Sequence, residues 1–317
     1  MSELVKNKFE FLYCFDNKYN IQALTSIISL LDNIDCKIKI NIIHPDNNFL
    51  DHIPKIINTH KNLSELKIYN FQKIDYDFPN LKNSHVSEAT YYRLFIDKYI
   101  NNDIDFLIYL DADVICNTNP IESIENNIFE LIKSKDIISV KTEWILDDNR
   151  AVDSTNEVFE RLNLRSRYFN AGVMIINYQK WLNQNLSEKL FKKLQELGSK
   201  VKFWDQDVLN SYFDNHYLEL DKKLNYYASN LENKTTEEFC FLHYVGSNKP
   251  WLTSGAFTKT SQIYHNNYSK LFNDSFHITH IWKLGSLKEL TVAIFNLSFF
   301  KIEKKFLYIK IFLKSLK

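Results

Sequence analysis

Residues 9–45, FEFLYCFDNKYNIQALTSIISLLDNIDCKIKINIIHP, decide the fold. Residues 9–15 are short, apolar and aromatic, the composition of a buried strand, and they run straight into the polar loop Asp16-Asn17-Lys18-Tyr19-Asn20. Ile21, Leu24, Ile27, Ile28 and Leu31 then recur at helical spacing, and residues 37–44 alternate before stopping at Pro45. The opening is therefore strand, helix, strand.

Further along the chain, the pattern predicts a helix over 49–59, a short strand over 66–69 and a helix over 87–99. Such alternation argues for an α/β sheet with a mainly parallel core. Residues 105–110, DFLIYL, are the clearest buried strand, and they deliver Asp111-Ala112-Asp113 at its carboxyl end. Ligands of open α/β sheets bind beyond the carboxyl ends of strands, so a site is expected there. A strand over 172–177, a helix over 179–197 and a helical turn from about Asp205 follow. After Trp251 the alternation fades and the chain becomes basic and aromatic.

Composition removes several function classes. The chain has 317 residues, 45% of them hydrophobic, which is enough for a substantial core and argues against disorder. Lys+Arg and Asp+Glu are equal at 39 each, so no global basic footprint for nucleic acid exists. Only five glycines occur and the first is Gly172, so residues 1–171 hold neither a dinucleotide fingerprint nor a P-loop, both of which need clustered glycines. A diphosphate bound there must be met by a metal or by basic side chains. The four cysteines form no CxxC pair and read as buried thiols. With no signal peptide and no apolar run long enough for a bilayer span, the chain reads as cytoplasmic.

Asp111 and Asp113 stand at i and i+2, which in extended geometry puts both carboxylates on one face, about 6 to 7 Å apart. That pair reads either as a site for a divalent cation or as a solvated turn or helix N-cap. Residues 241–251, FLHYVGSNKPW, add an imidazole, a glycine that permits close backbone approach and a lysine able to meet phosphate. Arg93 sits among apolar neighbours in TYYRLFI, which predicts a partly buried, paired guanidinium. Asn170-Ala171-Gly172 reads locally as a turn before a strand, and Asp205-Gln206-Asp207 as an acidic helix start.

Together six motifs resemble glycosyltransferase family 8, the retaining transferases that include bacterial lipooligosaccharide galactosyl- and glucosyltransferases. They are CFDNKYN at 14–20, HVSEATYYRL at 85–94, YLDADV at 109–114, YFNAGVMIINYQKW at 168–181, DQDVLN at 205–210 and HYVGSNKPW at 243–251. The resemblance implies an α/β GT-A fold, a mainly parallel Rossmann-like mixed sheet flanked by helices. It implies a nucleotide-diphospho-sugar donor and Mn²⁺, with Mg²⁺ as the alternative ion, held by Asp111, Asp113 and His243. A mixed oxygen and imidazole set suits Mn²⁺ better than Mg²⁺.

By the same likeness Asp16 and Tyr19 hold the uridine, while Arg93, Asn170, Ala171, Asp205 and Gln206 line the donor sugar. Lys249 adds positive charge at the diphosphate, Ala112 lies within the DxD element, and His85 and Gly246 fall where the family meets acceptor and diphosphate. Lys18 departs from the small polar residue related members often carry there, which loosens the inference about the base. For a nucleophile beneath the anomeric carbon, Asp205 and Gln206 are the nearest candidates by likeness; double displacement and front-face transfer stay open.

The expected organisation is a GT-A catalytic domain over 1–250 and a basic, mainly helical tail over 251–317. Residues 281–317 hold eight lysines against two glutamates, interleaved with aromatics, as in segments drawn to anionic lipid. The expected reaction moves glucose or galactose from UDP-glucose or UDP-galactose to a saccharide or glycolipid acceptor such as lipopolysaccharide core, at the inner face of the cell membrane and without nucleic acid. Competing classes are a sugar nucleotidyltransferase, which usually has an amino-terminal glycine-rich loop, and a catalytically silent nucleotide- or carbohydrate-binding module. The acceptor loop is expected over 142–167.

Overall fold

The protein is described from a computed structural model, which covers residues 9–79, 81, 87–146, 154–231 and 238–317. The opening forms β1 (Phe9–Cys14), α1 (Asn20–Asn33) and β2 (Ile38–His44), followed by α2 (Lys55–Asn58), β3 (Leu63–Asn70), β4 (Phe106–Leu110) and β5 (Val114–Cys116). Next come α3 (Ile121–Lys133), β6 (Ile138–Ile145), α4 (Ser154–Leu162), β7 (Arg167–Asn177), α5 (Tyr178–Asn183) and α6 (Leu186–Leu197). The chain continues through α7 (Trp204–Phe213), β8 (Leu218–Glu219), β9 (Tyr226–Tyr227), α8 (Ala228–Leu231) and β10 (Phe241–His243). Three helices close it: α9 (Ser261–Leu271), α10 (Lys283–Phe295) and α11 (Lys305–Ser315).

Seven strands make one sheet in the order β3-β2-β1-β4-β7-β6-β8. The β3-β2-β1-β4 half is parallel, whereas β7 runs antiparallel to both β4 and β6. Central strands with both faces covered should read as unbroken apolar runs, and β4 (FLIYL) and the VMII of β7 do. Leu12, Leu107, Tyr109, Met174 and Ile176 face one core with Trp181 and Leu190. Phe11, Tyr13, Ile108, Val173 and Ile175 face the other, with Ile27 of α1 and Ile124 and Ile128 of α3.

A second, three-stranded sheet in the order β5-β10-β9 grows from the end of β4. It sits against α1, whose buried Ser26 donates to the Val114 carbonyl (2.5 Å) and whose Ser29 hydroxyl accepts from the Cys116 amide (2.9 Å). Two small polar residues on the inner face of α1 thus fix where β5 leaves the turn.

Four elements differ from the sequence expectation. The helix expected over 49–59 is broken: Phe49–His52 winds as a 3₁₀ turn, Pro54 holds Ile53 in extended backbone, and Lys55–Asn58 turns α-helical after it. The helix expected over 179–197 divides into α5 and α6 at Asn185, which adopts a left-handed conformation with φ 51°. Residues 88–98 wind as tight 3₁₀ turns interrupted at Phe95, because buried side chains from Ala89 to Ile96 point to all sides rather than along one stripe. Asn170-Ala171-Gly172 is not a turn but part of the eleven-residue β7, held between β4 and β6.

Beyond Trp251 the chain still packs on the sheet domain: Trp251 and Tyr264 of α9 are buried with Tyr226 and Leu242. The α10–α11 pair has its own small core of Phe257, Phe276, Leu290, Phe299, Tyr308 and Phe312.

Candidate active site

Topology brings the predicted residues together at the carboxyl end of β4. Leu110 pairs with Val173, and the Asp111 amide donates to the Gly172 carbonyl (2.8 Å), so β7 lays Gly172 beside Asp111. His243 pairs with Val114 in the small sheet, and the Tyr244 amide donates to the Asp113 carbonyl (3.2 Å). Asp111-Ala112-Asp113 is a turn rather than extended chain, closed by the Val114 amide on the Asp111 carbonyl (3.1 Å). The turn replaces the extended spacing and lets one ligand atom each from Asp111, Asp113 and His243 lie within 4.8 Å of one another.

These residues line a cleft of about 440 Å³, within the range of small-molecule sites. Tyr19, Arg93, Asp111, Ala112, Asp113, Asn170, Asp205, Gln206, His243, Gly246 and Lys249 all border it. Ala171 lies just behind the wall, where its amide donates to Gln206 (2.9 Å) and its carbonyl accepts from Arg93 (2.6 Å). Asp16 is not on the wall; its carboxylate accepts from the Lys18 amide (3.0 Å) and so shapes the loop that carries Tyr19. His85 and residues 147–153 of the expected acceptor loop lie outside the described residues.

Two charge clusters organise the cleft. In the first, buried Arg93 reaches Asp205 (2.7 Å) and Asp111 (3.1 Å) and lies 4.1 Å from the centroid of the Tyr109 ring. Burial works against the guanidinium charge, yet the two carboxylates outweigh it and hold Arg93 firmly protonated. Burial pushes Asp205 up to about 6, against the pull of Arg93 and of the Thr90 hydroxyl that bonds its other oxygen. Asp205 is thus a buried, ion-paired group rather than a simple acidic helix start. Asp207 takes the helix-start role: it accepts from the Lys202 and Phe203 amides (2.7 and 2.9 Å) and pairs with Arg161 (2.6 Å).

In the second cluster, the Lys249 ammonium bonds Asp113 and the Tyr244 carbonyl (2.6 Å). Burial raises the Asp113 carboxyl, but Lys249 and His243 prevail and leave it well below the usual carboxylate range.

The residues present fit a divalent cation on three counts. The donor set is two carboxylates and an imidazole. A Cβ on residue 172 would stand 2.2 Å from His243 Cε1 and 2.9 Å from Asp111 Oδ2, so glycine keeps the space between the ligands open. Asp113 Oδ1 is buried without a hydrogen-bond partner and faces His243 Nε2 at 3.3 Å. Gly246, on the rim, has φ 82°, a backbone conformation that glycine adopts without strain.

The sequence profile described as glycosyl transferase family 8 matches residues 10–255. The chain belongs to glycosyl transferase family 8. Among its relatives, a lipopolysaccharide 1,2-glucosyltransferase of Escherichia coli is 28% identical over 266 residues, covering 78% of this chain and 74% of that protein. A lipopolysaccharide 1,3-galactosyltransferase of Salmonella typhimurium is 34% identical over 188 residues, which is 56% of this chain and about half (53%) of that protein. The crystal structure of galactosyltransferase LgtC with donor and acceptor sugar analogs superposes with a TM-score of 0.70 at 17% identity, covering 87% of this chain and 99% of that one. The fold is therefore GT-A, and the chain is an enzyme of the glycosyl transferase family 8 type.

Sequence reasoning placed Glu143 and Trp144 only within the expected acceptor loop over 142–167, whereas they stand on β6, and it missed Asn225. Glu143 and Trp144 line the cleft from β6, and burial raises the Glu143 carboxyl despite its contact with Asn170. Asn225 is fully buried and bonds His243 Nδ1 (2.9 Å). No pattern marked Asn225, because it reaches the site only where β9 pairs with β10, far away in sequence.

Proposed function

We propose that the protein is a retaining hexosyltransferase that moves glucose or galactose from a UDP-sugar to a saccharide of the lipopolysaccharide core class. The observation that carries this reading is the convergence of Asp111, Asp113 and His243 around Gly172, with Lys249 in the same cleft. Mn²⁺ is the proposed ion at the three ligands. When bound it neutralises the diphosphate and stabilises the departing UDP.

The remaining roles belong to the chain. Tyr19, beside Trp251 at a ring distance of 6.3 Å, and the Asp16 loop hold the uridine. Gly246 offers close backbone approach to the diphosphate, and Lys249 supplies a second positive charge on leaving the Asp113 carboxylate. Arg93, Asn170, Ala171, Asp205 and Gln206 orient the sugar, and His85 meets the acceptor. Asp205 has one oxygen on Arg93 and the other on Thr90, which favours front-face departure and attack over double displacement through that carboxylate. The Gln206 amide, oriented by the Ala171 amide and the Tyr168 hydroxyl (3.2 Å), is then the group nearest the developing oxocarbenium.

The proposed division is the catalytic domain over 1–250 and the tail over 251–317, with the tail resting on an anionic membrane surface. Trp282, Phe295 and Phe306 are 65%, 82% and 90% exposed among lysines, the pairing of apolar and cationic groups that anionic lipid complements. Among the described residues no helix is long and apolar enough to cross a membrane. The reaction is tested by incubating the protein with UDP-glucose or UDP-galactose, Mn²⁺ and core oligosaccharide, reading the anomeric configuration of the product by NMR. An α-linked product supports the reading; release of free sugar alone, or no turnover with either donor, removes it.

A further inference from the structure

A chain of hydrogen bonds behind the three proposed ligands begins at a group whose polarity is certain. The Gly172 amide donates to Asn170 Oδ1 (3.0 Å), so that atom is the oxygen of its side-chain amide. The second group on it, Asn225 at 3.0 Å, must therefore present its Nδ2–H₂. That leaves Asn225 Oδ1 as an acceptor, and it faces His243 Nδ1 at 2.9 Å. The proton of a neutral His243 must then sit on Nδ1, and the Nε2 lone pair points at Asp113 Oδ1, 3.3 Å away. In the neutral ring two lone pairs face each other at that distance and repel; a second ring proton on Nε2 or a bound cation removes the clash. Asn170, Asn225, His243 and Asp113 are all at least nine-tenths buried, so water offers no alternative partner to Asn225, whose own exposure is 0%.

We infer that Asn225 is a positioning residue that fixes the tautomer of His243 and, through Asn170, ties the metal-facing imidazole to the strand that carries the donor-sugar contacts. Its backbone serves the same end: the Asn225 carbonyl accepts from Lys141 (2.8 Å), and β9 begins at the next residue, pairing Tyr227 with His243. One consequence concerns Asn170. With Oδ1 engaged by Gly172 and Asn225, only its Nδ2–H₂ remains for the cleft, where it approaches Glu143 at 3.5 Å. Asn170 can thus donate to a sugar hydroxyl but not accept from one.

The inference rests on the proposed metal site, and the test separates the two. In the metal-free, full-length protein, ¹⁵N NMR of His243 reads the tautomer directly; a proton on Nδ1 is expected, and a proton on Nε2 in the neutral ring overturns the inference. Mn²⁺ binding to the protein alone, followed by EPR, is then compared for wild type, Asn225→Leu, Asn225→Asp and His243→Ala. Loss of a partner behind a metal-binding histidine typically weakens affinity about 10- to 100-fold, so Asn225→Leu is expected in that range; Asn225→Asp keeps an acceptor for Nδ1–H but loses the donor to Asn170 Oδ1, and is expected to recover only part of the affinity. A folded Asn225→Leu that binds like wild type contradicts the role. Equal Mn²⁺ binding by wild type and His243→Ala would instead remove the metal reading, and the tautomer measurement would still decide the relay.

Discussion

In the cleft, Arg93 and Lys249 are buried and each faces a carboxylate, whereas along α10 and α11 most lysines stand in solvent beside exposed Trp282, Phe295 and Phe306. The two regions have similar ingredients, cations and aromatics, arranged in opposite ways. A buried charge must be paired because desolvation is costly, so each cation in the cleft fixes the position of an anion. An exposed lysine next to an exposed aromatic can meet an external surface, even where, as at Lys283, it also donates to a backbone carbonyl (Leu316, 2.7 Å). Substitutions should therefore be severe and specific in the first region and nearly silent for folding in the second.

The largest effect is expected at the metal-facing turn. Asp113→Ala removes a proposed ligand and leaves Lys249 without its carboxylate, and kcat/KM should fall by roughly 10³-fold or more. Gly172→Ala should match it while the fold survives, because its Cβ would occupy the space between His243 and Asp111. A Gly172→Ala protein with near-normal turnover would break the contrast at its strongest point.

Next is Arg93→Ala. It leaves the buried carboxylate of Asp205 unpaired, and chemical denaturation should show a loss of about 3 to 5 kcal/mol. The pH dependence of Asp205→Asn refines this. The carboxyl is held up to about 6 in the folded state, above its unfolded value, so the native state binds the extra proton between about pH 4 and 6. Wild-type stability should therefore decline relative to Asp205→Asn as pH rises through that window, and a flat difference would mean that Asp205 is not desolvated as described.

The seam between the regions should titrate with the opposite sign. His277, bonded to the Tyr264 hydroxyl (2.7 Å), and His265, donating to the Pro250 carbonyl (3.0 Å), are pushed by burial down to about 4 and about 3. The unfolded chain binds protons that these buried rings refuse, so stability is lost as pH falls below the ordinary histidine value. At pH 5 each costs about 2 kcal/mol, and His277→Gln should flatten the acid limb of a melting-temperature profile.

The smallest effect on folding belongs to the α10–α11 pair. Phe306→Ser should change stability by less than about 0.5 kcal/mol, since the side chain is almost wholly exposed. Flotation with anionic liposomes should nonetheless weaken, more so when combined with Trp282→Ala; unchanged flotation would sever the tail from the membrane.

Legibility followed the same physical division. The βαβ opening and β4 were readable because burial on both faces writes continuous apolar runs, and most of the residues that line the cleft were readable because six motifs stand in family order. The breaks at Pro54 and Asn185 were misread because one residue's backbone preference overrides an otherwise helical pattern. The tight turn at Asp111-Ala112-Asp113 was hidden because i and i+2 spacing fits an extended chain equally well. Asn225 carries no local signal at all, since it meets His243 only when β9 pairs with β10.

The most direct test of the account is thermal unfolding of wild type and Asp113→Ala with UDP, with and without Mn²⁺. Ligand binding to the native state raises the melting temperature. The account predicts an upward shift for wild type that requires both UDP and Mn²⁺ and disappears in Asp113→Ala. A UDP shift of equal size without metal, retained in the variant, would contradict a diphosphate site built on Asp111, Asp113 and His243.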